Sequence, residues 1–454
     1  MLNEGNYGRI CEALNSHPSP NERIAELLQK SIELKGLTFL EAGELLNTND
    51  SGLQEEIINA AGRVKELIYG KRVVLFAPLY LSNECANNCL YCGFRKDNVS
   101  LARRTLSSEE LIAEAQKIES MGHKRILLVC GEKPVQNGIS YVVKAIRGIY
   151  EKTNIRRVNV NIAPLSTEDF RHLKEAGIGT YQSFQETYHR EQYSFYHPCG
   201  TKADYNWRIT SFERAIEAGI DDYGMGVLFG LYDYRFEVMA LVCHAAELER
   251  NWGVGPHTVS VPRLKKAFGS AVFETGFQIN DRQLMLTTAV LRLALPYTGI
   301  IMSTREPGFL RDRLLDIGVS QISAGSSTAP GGYSAGERGG TQFQLEDNRT
   351  LDEVVRDICR AGYLPSFCTA CYRQERTGER FMALAKVGEI KKLCQPNALL
   401  TFREFLLDFA SEETGLQGKR VLKRFLESSD VAAVRESLVK RLADIETGKR
   451  DIYY

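Results

Sequence analysis

Short apolar runs rich in β-branched residues alternate with amphipathic stretches along most of this 454-residue chain. Residues 1–70 read as helical. The apolar runs then fall at 73–82 (VVLFAPLYLS), 125–132 (RILLVCGE), 156–164 (RRVNVNIAP), 179–187 (GTYQSFQET), 222–230 (DYGMGVLFG), 258–264 (TVSVPRL), 299–306 (GIIMSTRE) and 321–327 (QISAGSS). Between them stand helix-start signals, a Ser or Thr followed by acidic residues, at Ser107, at Ser166 and at 303–306. Eight strand–helix units in one run predict an α/β fold, a parallel (β/α)8 barrel of the triosephosphate-isomerase type, over residues 71–362. An open doubly wound sheet is the alternative, and it would gather its site at one crevice. From about residue 363 the alternation stops. Helical patterns at 380–393, 397–411, 418–428 and 431–447 predict a C-terminal helical appendage over 363–454.

The polar, Gly- and Pro-rich clusters sit at the C-terminal ends of the predicted strands. They are the 85–92 loop after the first, Gly131-Glu132-Lys133-Pro134 after the second, Gln185-Glu186-Thr187 at the fourth, Ser303-Thr304-Arg305-Glu306 at the seventh and Ser323-Ala-Gly-Ser326 at the eighth. Barrel active sites occupy that face, so these clusters predict a ring-shaped site. The Gly-rich stretch 331–340 reads as the mobile loop.

Composition narrows the function class. Lys+Arg and Asp+Glu both number 57, giving a formal net charge of zero, and 43% of residues are hydrophobic. Neither nucleic-acid nor membrane binding is expected from such a balance. The sequence shows no apolar run long enough to span a bilayer and no signal-like N-terminus. Eleven cysteines without a secretory signal point to a reducing, cytoplasmic setting, where thiols are metal ligands or buried hydrophobes.

The segment Cys85-Ala-Asn-Asn-Cys89-Leu-Tyr-Cys92-Gly-Phe94 has the form C-x3-C-x2-C-G-F. Three thiolates this close can hold three irons of a [4Fe–4S] cluster, leaving the fourth iron open. Structural zinc sites are instead closed by four ligands, commonly paired C-x2-C units, and this trio has no near histidine. The motif is that of the radical S-adenosylmethionine (SAM) enzymes, in which SAM chelates the open iron. A second trio, C-x2-C-x22-C, is formed by Cys368, Cys371 and Cys394. It again lacks a good fourth ligand, Cys359 being the nearby candidate for a zinc site, and it reads as a second [4Fe–4S] cluster. Cys130 reads as a small buried hydrophobe.

Over essentially its whole length the chain resembles the HydG family, tyrosine lyases that mature the [FeFe]-hydrogenase cofactor. The stretches that carry the resemblance include VVLFAPLYLSNECANNCLYCGFR, GTYQSFQETYH, GIDDYGMGVLFGLYDYRFEV, GVGPHTVSVPRL and CTACYRQERTGERFM. Iminoacetate synthases share the barrel but lack the C-terminal trio. The resemblance implies that the Cys85/Cys89/Cys92 cluster, reduced by a ferredoxin or flavodoxin, cleaves SAM to methionine and a 5′-deoxyadenosyl radical. L-tyrosine is then split into p-cresol and dehydroglycine. The fragment becomes carbon monoxide and cyanide at the second cluster, for use by hydrogenase maturation partners.

By the same resemblance Gly131 and Glu132 meet the SAM amino group, Arg208 its carboxylate, and the 226–230 backbone, with Gly226, its adenine. Arg263 is assigned to the tyrosine carboxylate, with Arg305 and Ser323 as secondary contacts. Gln185 and Glu186 orient nucleoside or substrate. His257 binds an extra iron, attached to the C-terminal cluster through free L-cysteine; imidazole is a reasonable iron ligand. His189 and His197 are left as rim or core residues. Competing readings are an iminoacetate synthase serving thiamine synthesis and a non-catalytic Fe–S scaffold.

Overall fold

The computed structural model describes residues 3–133, 138–335 and 340–454. Pro134 and residues 336–339 of the Gly-rich stretch lie outside them. Eight parallel strands, β1 (Arg72–Ser82), β2 (Arg125–Cys130), β3 (Arg157–Asn161), β4 (Tyr181–Glu186), β5 (Tyr223–Val227), β6 (Thr258–Ser260), β7 (Gly299–Met302) and β8 (Val319–Ser323), pair in sequence order. β1 pairs with both β2 and β8, which closes the (β/α)8 barrel. The predicted strands 5–8 run past the ends of the observed ones: beyond β7 the chain turns at 304–305, while beyond β5 and β6 an isolated parallel bridge joins Phe229 and Arg263.

The helix-start signals worked where a side chain closes the cap. Ser107 and Glu110 form a reciprocal capping box, and Ser166 accepts from the Asp169 N–H. The signal at 303–306 did not mark a cap. The helix Gly308–Ile317 starts after Pro307 without a side-chain cap, and Glu306 is fully buried in ion pairs.

Four N-terminal helices, Glu4–Leu14, Asn21–Ile32, Phe39–Leu46 and Ser51–Tyr69, pack on the barrel helices Tyr234–Trp252 and Asp281–Ala294. After residue 363 comes first a short strand, β9 (Leu364–Ser366), which pairs in parallel with Arg72–Val74 at the base of β1. Val74 bonds β8 on one edge and β9 on the other, so β9 shares with β2 the second edge of β1. Three residues are too few for a periodic pattern, so this strand was not legible.

The two helices predicted at 380–393 and 397–411 are divided differently. One helix covers Gly378–Lys386, and a continuous helix, Ile390–Asp408, contains Pro396. The break falls at the left-handed Gly388 (φ +74°). The turn carrying Pro396 survives because residues 394–402 are buried as a block, which outweighs one lost backbone bond. The remaining helices are Glu412–Leu426 and, after a 3₁₀ turn over Ser429–Val434, Arg435–Glu446. Among the described residues no helix is long and apolar enough to cross a membrane.

Candidate active site at the two mouths of the barrel

The loop after β1 carries Cys85, Cys89 and Cys92, all with free thiols. Cys85 and Cys92 pack against an apolar group that includes Phe76, Tyr80, Phe94 and Leu127, while Cys89 packs beside Tyr91, Tyr196 and Leu264. The loop is pinned from several sides. The Ala86 N–H donates to the Glu132 carbonyl (2.9 Å) and the Leu90 N–H to the Tyr196 carbonyl (3.0 Å). The Arg103 guanidinium donates to the carbonyls of Asn83 (2.7 Å), Phe94 (2.8 Å) and Arg95 (2.6 Å). The Phe94 N–H lies 3.4 Å from the Cys92 Sγ, the kind of N–H···S contact that tunes a cluster. Among the described residues no three His, Cys, Asp or Glu side chains converge to hold one metal ion. A four-iron cluster makes no such demand, since each thiolate binds its own iron. Three thiols in an apolar, water-poor loop with an N–H aimed at sulfur fit that cofactor.

The pocket under this loop fills the C-terminal mouth. Strand alternation, and at the end of β4 a register shift between Phe184 and Glu186, decide which predicted residues reach it. Gln182, Phe184 and Glu186 of β4 line it, together with Cys92, Glu132 and Arg208. Gln185 is out of phase with that set and does not reach the lining, which corrects its assignment; its buried Nε2 has no hydrogen-bond partner among the described residues. Gly226 faces the Phe184 ring, with which any side chain there would collide. Gly131 is pressed against the Glu84 carbonyl, and a Cβ would collide with it, so the residue sets how closely the β2 end meets the cysteine loop. Cys130 is buried and lines the pocket wall.

Two ion pairs face each other in the pocket. Arg208, on the short helix Tyr205–Ile209, donates to Glu132 (2.6 Å) and to the Phe184 carbonyl (3.2 Å). Lys202 holds Glu186 at 2.5 Å. Burial pushes the Glu132 carboxyl up, but the charges of Arg208 and Lys202 outweigh it and hold the group below its ordinary value.

Glu186 has a left-handed backbone (φ +69°), and the Thr187 N–H donates to the Gln185 carbonyl at 2.9 Å. This is a γ-turn of the rare positive-φ kind, strained for a residue with a side chain. Glu237, fully buried, fastens the next two residues by accepting from the Thr187 hydroxyl and from the Tyr188 N–H (2.9 Å). Burial raises the Glu237 carboxyl to about 8, against the opposing pull of those two donors. Between the ordinary carboxylate range and pH 8 the folded state therefore keeps a proton that the unfolded chain has lost, and stability falls as pH rises through that window. Glu237→Gln has no such titration. The melting temperature of the native protein relative to this variant is expected to drop from pH 6 to pH 8, and a constant difference would refute the assignment.

Of the residues assigned to tyrosine, Arg305 and Ser323 line the pocket and Arg263 does not. The Arg263 guanidinium is engaged by Glu306 (2.6 Å), Asp281 (2.7 Å) and the Ile279 carbonyl (3.1 Å). This corrects its role: it balances a carboxylate that is fully buried. Arg305 is differently placed. It stacks on Phe343 at 3.7 Å, donates to the Arg263 carbonyl (3.3 Å), keeps a buried Nε without a hydrogen bond, and has no carboxylate partner among the described residues. Ser323 Oγ accepts from the Thr304 N–H (3.2 Å).

The second trio lies at the opposite, N-terminal mouth. Cys368 follows β9, Cys371 sits in the helix Ala370–Arg373, and Cys394 lies on the helix Ile390–Asp408. Arg125, the first residue of β2, donates to the Cys368 carbonyl at 2.8 Å. The Cys394 thiol is held below its ordinary value, first by a hydrogen bond from Cys371 and then by the charges of Arg72, Arg376 and Arg125. Burial pushes Cys368 up, and the Cys371 thiol is pushed up as the donor to Cys394; one thiol drawn toward its anion among arginines suits thiolate ligation. Cys359 is buried on the helix Leu351–Arg360, where Arg424 is the charge that acts on it.

His257, just before β6, stacks on Phe381 (4.2 Å) and lies 6.4 Å from the Tyr372 ring, so the fold brings it beside the cysteine segment. Burial lowers its pKa, which leaves a neutral imidazole able to ligate. Its Nδ1 is 3.4 Å from Asp222, and these buried atoms have no hydrogen-bond partners among the described residues. His197 bonds Tyr91 (2.9 Å) and His189 stacks on Tyr232 (3.9 Å), both as packing residues.

The chain matches the family model of the Radical SAM superfamily over residues 79–241 and that of the Biotin and Thiamin Synthesis associated domain over 260–364. It is 32% identical to the 2-iminoacetate synthase of Escherichia coli (strain K12) over 346 residues, which is 76% of this chain and 90% of that protein. A crystal structure of HydG, a maturase of the [FeFe]-hydrogenase, superposes with TM-score 0.96 and 46% identity, covering 100% of this chain and 99% of that one. The chain belongs to the HydG family. The HydG structure from Carboxydothermus hydrogenoformans agrees, with TM-score 0.86 and 44% identity over 96% of this chain and 97% of that one. Membership of the HydG family makes the chain a radical SAM enzyme, with a [4Fe–4S] cluster and SAM as its cofactors.

Sequence reading within this HydG-family chain missed Lys202, Arg103 and the arginines around the second trio. Lys202 and Arg103 belong to no spacing pattern, and only the folded loops bring them to the cysteines. Arg72 and Arg125 stand at the first positions of β1 and β2, the N-terminal ends where no site was sought.

Proposed function

We propose that this enzyme cleaves the Cα–Cβ bond of L-tyrosine to p-cresol and dehydroglycine. In this reading the fragment is converted to carbon monoxide and cyanide at a second cluster, for assembly of the [FeFe]-hydrogenase cofactor. The observation that carries the reading is the pairing of two three-thiol sites at opposite mouths of one barrel, the second with His257 beside it. At the upper site Cys85, Cys89 and Cys92 hold the cluster that, once reduced, supplies the electron for SAM cleavage. Glu132 and Arg208 are placed for the amino-acid end of SAM. Arg305, whose guanidinium has no carboxylate partner among the described residues, takes the tyrosine carboxylate, with Ser323 beside it. The barrel wall keeps water from the radical step. At the lower site Cys368, Cys371 and Cys394 hold the processing cluster, and His257 an added iron bridged by free L-cysteine. A small cytoplasmic one-electron carrier, a ferredoxin or flavodoxin, serves as donor.

Anaerobic incubation with SAM, tyrosine and a strong reductant tests the reading. p-Cresol with cyanide and carbon monoxide supports it. p-Cresol with glyoxylate and little cyanide would favour a 2-iminoacetate synthase, the activity named for the Escherichia coli relative. No p-cresol at all would leave a scaffold. Arg305→Lys keeps the charge but loses the fork. It is expected to raise the KM for tyrosine about tenfold or more while SAM cleavage without tyrosine persists. Arg263→Ala, which leaves the buried Glu306 only Lys265 at 3.4 Å, is expected to cost about 3 kcal/mol of stability instead. Tyrosine titrations and denaturant melts of the two variants separate the roles.

A further inference from the structure

Lys202 has no part in the scheme above, yet it is built into the cysteine loop. Its backbone N–H donates to Asn87 Oδ1 (2.9 Å), a residue of the spacer between Cys85 and Cys89, and the Tyr193 hydroxyl fixes its carbonyl (2.6 Å). Its ammonium is drawn inward, with the side chain 12% exposed, and lies over the Tyr91 ring at 5.9 Å, next to Cys92 in the sequence. The residue lines the same pocket as Cys92. Burial pushes all three cluster thiols up, and Lys202 is a cation opposing that shift at each of them. One carboxylate, Glu186, sits on it at 2.5 Å, delivered there by the strained γ-turn.

We propose that Lys202 is an electrostatic tuning residue: its ammonium, fastened to the Cys85–Cys89 spacer and partly neutralised by Glu186, sets the reduction potential of the cluster those cysteines carry. The inference rests on the reading that Cys85, Cys89 and Cys92 hold that cluster. Reduction adds one electron, taken from the external donor, to an already anionic thiolate-bound group, and no bond is made. A cation in a low-dielectric pocket stabilises the reduced form more than the oxidised one, and net charge and burial are among the determinants of such potentials. The two partners must then act with opposite signs. Removing Lys202 makes the cluster harder to reduce, and neutralising Glu186 makes it easier.

The test is an anaerobic potentiometric titration of the iron-loaded full-length enzyme, read by EPR. The signal that changes on adding SAM identifies the barrel cluster. Lys202→Met is expected to lower its potential by about a tenfold change in the reduction equilibrium, about 59 mV for one electron. Glu186→Gln is expected to raise it, and Lys202→Arg to stay near the native value. The C-terminal cluster should not move in any variant, which excludes a general loosening of the fold. Unchanged potentials in Lys202→Met, or shifts of the same sign in Lys202→Met and Glu186→Gln, would overturn the proposal. If Lys202→Met fails to take up iron, Glu186→Gln and Lys202→Arg decide it. A native enzyme showing no SAM-sensitive cluster would strike the underlying cluster reading instead.

Discussion

Replacing Cys85, Cys89 and Cys92 together with Ala is expected to abolish 5′-deoxyadenosine and p-cresol, a loss of several orders of magnitude against the native rate. The reason is chemical rather than structural. The three thiols lie on a loop held by bonds from Ala86, Leu90 and the Arg103 guanidinium that do not pass through sulfur, the long Phe94 N–H contact to Cys92 being the exception. Small apolar replacements in that apolar surround should therefore fold, and circular dichroism should match the native enzyme. What disappears is the means of delivering an electron to SAM. A triple variant that still cleaves SAM reductively would remove the foundation of the assignment.

The second large effect is expected at the other mouth. Cys394→Ala should leave p-cresol close to the native yield and eliminate most carbon monoxide, with iron content falling by about one cluster's worth. Cys394 lies in the field of Arg72, Arg376 and Arg125 and accepts from Cys371, so its loss should undo the trio as a unit. His257→Ala should keep both clusters and lose the added iron and its carbonyl product. Quantifying p-cresol, carbon monoxide and iron on the same samples separates these outcomes. Loss of p-cresol from a well-folded Cys394→Ala enzyme would break the proposed division of labour.

The fold was legible where the sequence repeats a pattern. Eight β-branched runs spaced by capped helices leave little but a barrel, and Ser107 and Ser166 marked their helices because short polar side chains can replace a missing backbone partner. The cysteine sites were legible because spacing alone defines them. What escaped depends on orientation. Gln185 and Glu186 are neighbours in sequence, yet the register shift at the end of β4 and the left-handed turn at Glu186 leave only Glu186 lining the pocket. Arg263 and Arg305 both follow strands at the same face, but a fully buried carboxylate, Glu306, pairs with the first, and the second has no carboxylate partner among the described residues. Lys202 could not be found at all from spacing, since it reaches the cysteines by the docking of a loop more than a hundred residues away.

The short ninth strand has a consequence for how the chain comes off the ribosome. The base of β1, Arg72–Val74, takes its second partner from Leu364–Ser366, so Arg72 and Leu364 are 292 residues apart (364 − 72). Until that partner is made, the lower edge of the barrel's first strand offers unpaired N–H and C=O groups to any passing chain. At roughly 5–20 residues per second the wait lasts about 15–60 s. The appendage that brings in the second cysteine trio is therefore also the piece that ends the nascent barrel's vulnerability to misassembly. A chain cut at residue 362 would be born with its stickiest edge permanently open.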